Sequence, residues 1–227
     1  MQYQDVYRNE EVEEDGKKVT KRVFVERRIV AVKSKDGDNA ESLLKQLKID
    51  KDSEQGKQLL KSIGTSGEVR LSALGGEVGK SFGLFEKAIT AQKTWTDSGQ
   101  KGGPPLDGYQ NCAETCARLA FPGMKFTGDF YESPAYIDSL LKKQKNLSKS
   151  ELKFLDAIRY ADGENTGTHY ANVIFETDGG DIQTFSRSGN GGRLEIRDAT
   201  SLEGGYGKIQ GIGKDKTGFY SRQEKRK

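Results

Sequence analysis

Five strand-like segments follow one another in the last third of the chain, near 157–161, 168–176, 181–187, 193–197 and 206–212, with only short connections between them. Such connections admit hairpins and meanders but not the crossover helix that a parallel pair needs, so this stretch is confined to an antiparallel sheet. Upstream the apolar spacing turns helical, over 112–120, 134–145 and 149–155. The expectation is an α+β domain with its helices packed on an antiparallel sheet.

The N-terminal region reads as a smaller α/β unit. Residues 3–12 and 19–32 alternate around Glu14-Asp15-Gly16-Lys17, a good hairpin turn, with a register change between Val25 and Ile29. A helix beginning at Asn39 carries Leu43, Leu44 and Leu47, and one beginning at Ser53 carries Leu59, Leu60 and Ile63 and ends at Gly64. A third runs from Glu77 to Trp95 through Val78, Phe82, Phe85 and Ile89, with Gly79 and Gly83 weakening it. Its start, Gly75-Gly76-Glu77-Val78-Gly79-Lys80-Ser81, fails as a phosphate-binding loop because Leu74 stands where the first glycine belongs. Thr96 to Leu106, rich in Gly, Pro and polar residues, reads as a linker and divides the chain into 1–98 and 99–227.

Charged residues make up 31% of the chain and mean hydropathy is −0.78, yet the net charge is only +3, too small to argue for nucleic acid. The basic run from Arg222 to Lys227 reads as a solvated tail. No run approaches the roughly 20 apolar residues that span a bilayer, and the start lacks the basic and apolar regions of a Sec signal. The expectation is a protein made in the cytoplasm without a membrane partner. Two cysteines and one histidine are too few for a zinc site unless carboxylates complete it, and cysteines four apart on a helix make a poor disulfide, so a reduced thiol is expected.

Those three residues carry the chemistry. Asn111 precedes Cys112 as an N-cap, and Glu114 completes a capping-box pattern, which puts Cys112 at the first helical position. There the helix dipole favours a thiolate and the Cys112 N–H can face a developing oxyanion, with Gln110 or Asn111 as a second donor. Cys116, one turn deeper beside Leu119 and Ala120, reads as a packing residue. His169 is the chain's only imidazole and follows a polar loop at 162–167, so it is the candidate general base. Cross-strand pairing about a turn near Gly179-Gly180 sets it opposite Ser188 or Asn190, with Ser186 next on the same face.

The segment Asp156 to Gly163, the loop, His169-Tyr170-Ala171-Asn172-Val173, the turn at Asp178-Gly179-Gly180 and the strand from Asp181 to Arg187, together with Cys before His, resemble the papain-like core of the NlpC/P60 and CHAP amidases. The resemblance covers the last half of the chain. It implies a cysteine nucleophile, Cys112, with His169 as its base and a third residue orienting the imidazole. In CHAP-like proteins an acidic residue and an asparagine occur near the positions held by Ser186 and Ser188, and this chain departs from that pattern; Asn190 is the expected orienter, with Ser186, Ser188 and Asp181 as alternatives.

The resulting expectation is an amide hydrolase working through a thioester with no cofactor, on a peptide, protein or peptidoglycan substrate. Such a domain behind an unrelated polar module resembles, by analogy, the toxin end of bacterial polymorphic or secretion-system effectors, which implies export by a specialised apparatus and a cognate immunity protein. The rival is a non-enzymatic binding or adaptor module in which Cys112 and His169 only pack.

Overall fold

In a computed structural model the described residues are 2–32, 40–47, 49–106, 111–121, 134–144, 147–161, 168–177, 179–188, 191–206, 208–209 and 219–220. Among them the fold is mixed α+β with two antiparallel sheets and six α-helices. No described helix is long and apolar enough to cross a membrane.

Strands β1 (Gln2–Glu14) and β2 (Lys17–Val32) form the expected hairpin. Asp15 and Gly16 both take positive φ, 50° and 75°, as the two-residue loop that matches strand twist requires. The register changes between Val6 and Tyr7, which face Glu26 and Phe24 and leave Val25 as the extra residue of a bulge. A short strand, β3 (Glu68–Arg70), completes this sheet on the far side of β2.

Helices α1 (Ala40–Gln46) and α2 (Glu54–Ser66) follow the hairpin. The Ser53 hydroxyl caps α2 by accepting from the Gly56 N–H. The helix runs past Gly64 and stops at Gly67, whose φ of 74° turns its N–H onto the Ile63 carbonyl. Helix α3 (Gly76–Asp97) buries Val78, Phe82, Phe85 and Ile89, as their spacing predicts. Gly79 is required there, since a Cβ would meet the Leu74 carbonyl oxygen at 1.6 Å. The buried Glu86 carboxylate accepts from the Ile29 N–H, the Ser72 hydroxyl and Arg70, tying α3 to β2 and β3.

Helices α4 (Cys112–Ala120) and α5 (Pro134–Leu141) precede the second sheet, of β4 (Ala157–Ala161), β5 (His169–Glu176), β6 (Ile182–Arg187), β7 (Leu194–Asp198), β8 (Lys208–Ile209) and β9 (Phe219–Tyr220). Its order is β7-β6-β5-β4-β8, with β9 also on β4. Of the strand expected over 206–212 the described residues show β8, and helix α6 (Ala199–Tyr206), which the sequence reading does not foresee, comes before it. The expected helix over 149–155 shrinks to one 3-10 turn, Lys149–Glu151. Beyond it the Leu155 N–H donates to the Val173 carbonyl and the Val173 N–H to Asp156, so the sheet has taken the backbone groups a helix would need.

The division expected at 98/99 is crossed by one core. Ile29, Leu59, Phe82 and Phe85 share a buried cluster with Leu119, Phe154, Ile174 and Phe185. Phe82 stacks on Phe154 with ring centres 4.2 Å apart, and Phe85 meets Phe185 edge-on at 4.3 Å. Nor does the Gly-Pro segment hang in solvent as a linker would: the Gly103 N–H donates to the Gly191 carbonyl, Trp95 Nε1 to Lys101 and Arg187 Nη1 to Pro104. Its glycines permit this approach, because a Cβ on Gly103 would lie 2.1 Å from the Gly192 carbonyl oxygen.

Candidate functional site

Helix α4 begins at Cys112 because Asn111 caps it. The Asn111 side-chain oxygen accepts from the Glu114 N–H at 2.9 Å, which commits that oxygen to the helix rather than to a substrate. The rest of the helix is nailed to β5. Ala113, Cys116, Ala117 and Ala120 pack with Tyr170, and the buried Asn172 amide donates to the Cys116 and Leu155 carbonyls. Cys116 is buried and its thiol donates to the Ala171 carbonyl; burial pushes its pKa far up.

Cys112 is half-buried at the end of this contact. Its thiol lies 3.9 Å from the Thr168 carbonyl oxygen, while the N–H groups of Tyr170, Ala113 and Cys112 itself favour the thiolate. Burial outweighs them and raises the pKa, so the resting group is a thiol. The backbone groups that meet the sulfur therefore flank His169 on either side. The sulfur's hydrogen bond goes to that backbone and not to the imidazole.

His169 opens β5 directly opposite Tyr160 on β4, so the two rings share a face, with centres 5.8 Å apart. That face packs against α6 through Tyr160, Ala171, Val173 and Leu202, whereas α4 lies on the Tyr170 face. Cys112 and His169 thus reach the start of β5 from opposite sides of the sheet. The His169 ring is 1% exposed and its Nε2 stands 3.2 Å from the Ser186 hydroxyl. Burial, reinforced by the positive charge of Arg197, lowers its pKa to about 4. It rests neutral.

Of the residues expected as a third group, Ser186, an alternative, has its hydroxyl within hydrogen-bond distance of His169 Nε2. Ser188 uses its N–H to pair with the Arg193 carbonyl, and Asp181 stands in the turn at the opposite end of β5 from His169, too far along the strand to orient it. Asn190, Gln110 and the loop 162–167 lie outside the described residues.

Sequence reading missed a polar cluster around the Tyr170 hydroxyl. On the α4 face of β5 the Tyr170 hydroxyl donates to Asp138 Oδ1 at 2.6 Å, and Arg159 Nε donates to the same oxygen at 3.0 Å. The signal was there in Arg159, a cation in the middle of an otherwise apolar strand. Arg187 is likewise buried on β6, where burial lowers its pKa against the opposing charge of Glu114 on α4. Among the described residues no three His, Cys, Asp or Glu side chains gather as a metal site would require.

Two clefts, of about 280 and 250 Å3, lie between the hairpin, α3 and β7; neither is lined by Cys112 or His169. Comparison with protein-family models, curated proteins and solved structures finds no match for this chain.

Proposed function

We propose that the chain is a cysteine-nucleophile amide hydrolase of papain-like topology, acting through a thioester in the manner of a bacterial toxin or effector domain. One observation carries the reading: the capped N-terminus of α4 sets Cys112 against the backbone on both sides of the only imidazole in the chain. Ser186 holds Nε2, so the thiol proton passes to Nδ1, and the N–H groups at the start of α4 face the oxyanion. Because thiol and imidazole both rest neutral, the nucleophile forms only as the proton leaves. The ring must first come within hydrogen-bond distance of the sulfur.

A second reading, a binding or adaptor module with both residues structural, is favoured by the opposite-face placement of the two side chains and the depressed basicity of His169. Expression in bacteria separates them. The enzyme reading expects Cys112→Ala and His169→Ala each to abolish toxicity while the variants stay folded, with the double variant little worse than either single one. Lysis only on periplasmic targeting assigns peptidoglycan. Cytosolic toxicity assigns a protein substrate, with intact mass distinguishing a cut chain from a deamidated one, which gains about one dalton. Equal toxicity of Cys112→Ala in both compartments refutes the hydrolase.

A further inference from the structure

The β1 strand is an edge of the first sheet, and among the described residues β2 is the only strand paired with it. Glu14 and Lys17 close a two-residue loop and so form a hydrogen-bonded pair. From there the alternation of an antiparallel ladder turns the backbone groups of Arg8, Glu10 and Val12 toward β2, and those of Tyr7, Asn9, Glu11 and Glu13 toward the open edge. An exposed edge of this length is a template for another strand unless its side chains forbid the pairing.

Here the side chains select a partner. We propose that β1 pairs antiparallel with β1 of a second copy of this chain, about a two-fold axis at Asn9, to make a continuous four-stranded ribbon. In that register Val6 meets Val12 of the second copy and Arg8 meets Glu10 of the second copy, and the symmetry repeats both pairs. The outward-facing backbone groups of Asn9 meet their own copies, and those of Tyr7 meet Glu11, so the ladder is satisfied.

Shifting the axis by one residue in either direction keeps the backbone in register but sets Arg8 against Arg8 or Glu10 against Glu10 at the axis. Like charges directly opposite are destabilising, so these registers lose. In the favoured one Glu10, which already accepts from Arg8 of its own strand, lies between Lys21, its partner on β2, and the incoming Arg8, so the two Arg8–Glu10 pairs join in one alternating cluster across the axis. Half-buried Val12 and Val19 extend the apolar row begun by Val6. On the other face Asp5 comes opposite Glu13. That repulsion is blunted because Arg27 holds Asp5 through two hydrogen bonds, 2.6 and 2.8 Å, and Lys18 stands across from Glu13.

Sedimentation velocity over a concentration series tests this on the full chain. The wild type should pass from monomer to dimer, and Arg8→Glu or Glu10→Arg should each weaken the dimer about tenfold to a hundredfold by turning two attractive pairs repulsive. The double reversal, Arg8→Glu with Glu10→Arg, rebuilds both pairs and should restore it. Asn9→Pro, which deletes an edge N–H that β2 does not use, should give a monomer; circular dichroism checks that every variant keeps its fold. A wild type that stays monomeric throughout overturns the proposal and leaves the edge to a different protein. So does a dimer indifferent to the single reversals, or one that the double reversal fails to restore.

Discussion

Replacing His169 by Gln should remove most of the acid sensitivity of this fold between pH 7.5 and 5. In the native chain burial holds the imidazole at about 4, against 6.5 for an ordinary histidine. As pH falls through 6.5 the unfolded chain therefore takes up a proton that the folded chain refuses, and stability declines until the native group also titrates. The linkage relation puts the loss at about 2 kcal/mol between pH 7.5 and 5. The assignment is unusually clean because the chain has one histidine. The carboxylates held low in the native state, Asp5 by Arg27 and Glu26 by Arg28, lose their contribution at lower pH still. Urea unfolding at pH 7.5, 6 and 5 gives the slope, and His169→Gln, which keeps a hydrogen-bonding group near Ser186, gives the background. An equal slope in both proteins, or a flat wild type, would show that His169 is not held neutral and buried.

Iodoacetamide should label Cys112 well before Cys116, since only the former is reachable, and the rate should climb with pH beyond the ordinary thiol value of 9.0; a plateau from pH 5 upward would reveal a preformed thiolate. Asn111→Ala should cost about 1 kcal/mol in thermal or urea unfolding by removing the cap on α4, and no change in midpoint would refute that role. Phe82→Ala should cost roughly 3 to 5 kcal/mol and lower one common transition, read by probes in both halves of the chain; two separate transitions would contradict the shared core. Gly103→Ala should destabilise the fold through its clash with the Gly192 carbonyl, and an unchanged melting temperature would argue against the docked segment.

Periodicity made most of the elements legible. The hairpin with its Asp15-Gly16 turn, the apolar face of α3, the start of α4 and strands β4 to β7 lie where alternation, helical spacing and capping residues put them. What misled was local composition. Gly and Pro between 96 and 106 signal freedom when read alone, yet the same residues allow close backbone approach, and only the distant Gly191 and Arg187 decide which use is made of them. Strand register, a local rule, puts Ser186 on the face of His169 but beside the Ser188 or Asn190 expected opposite it, and the hydroxyl that reaches Nε2 is that of Ser186. The side of the sheet each group occupies was not readable: α4 and β5 are far apart in sequence, and their packing is set by Asn172, Tyr170 and the small residues of α4 together.

The core that joins Phe82 to Phe154 also bears on how such a chain could be inherited. A module that travels between proteins must carry its own hydrophobic closure across each junction. A recombination point at the Gly-Pro stretch would strip α3 from the sheet and leave Phe154 and Phe185 facing water. The heritable piece is therefore the second sheet with α4, together with α3 and the strand behind it. Crossovers that preserve function should fall outside that body, however much the glycines and prolines at its middle look like a seam.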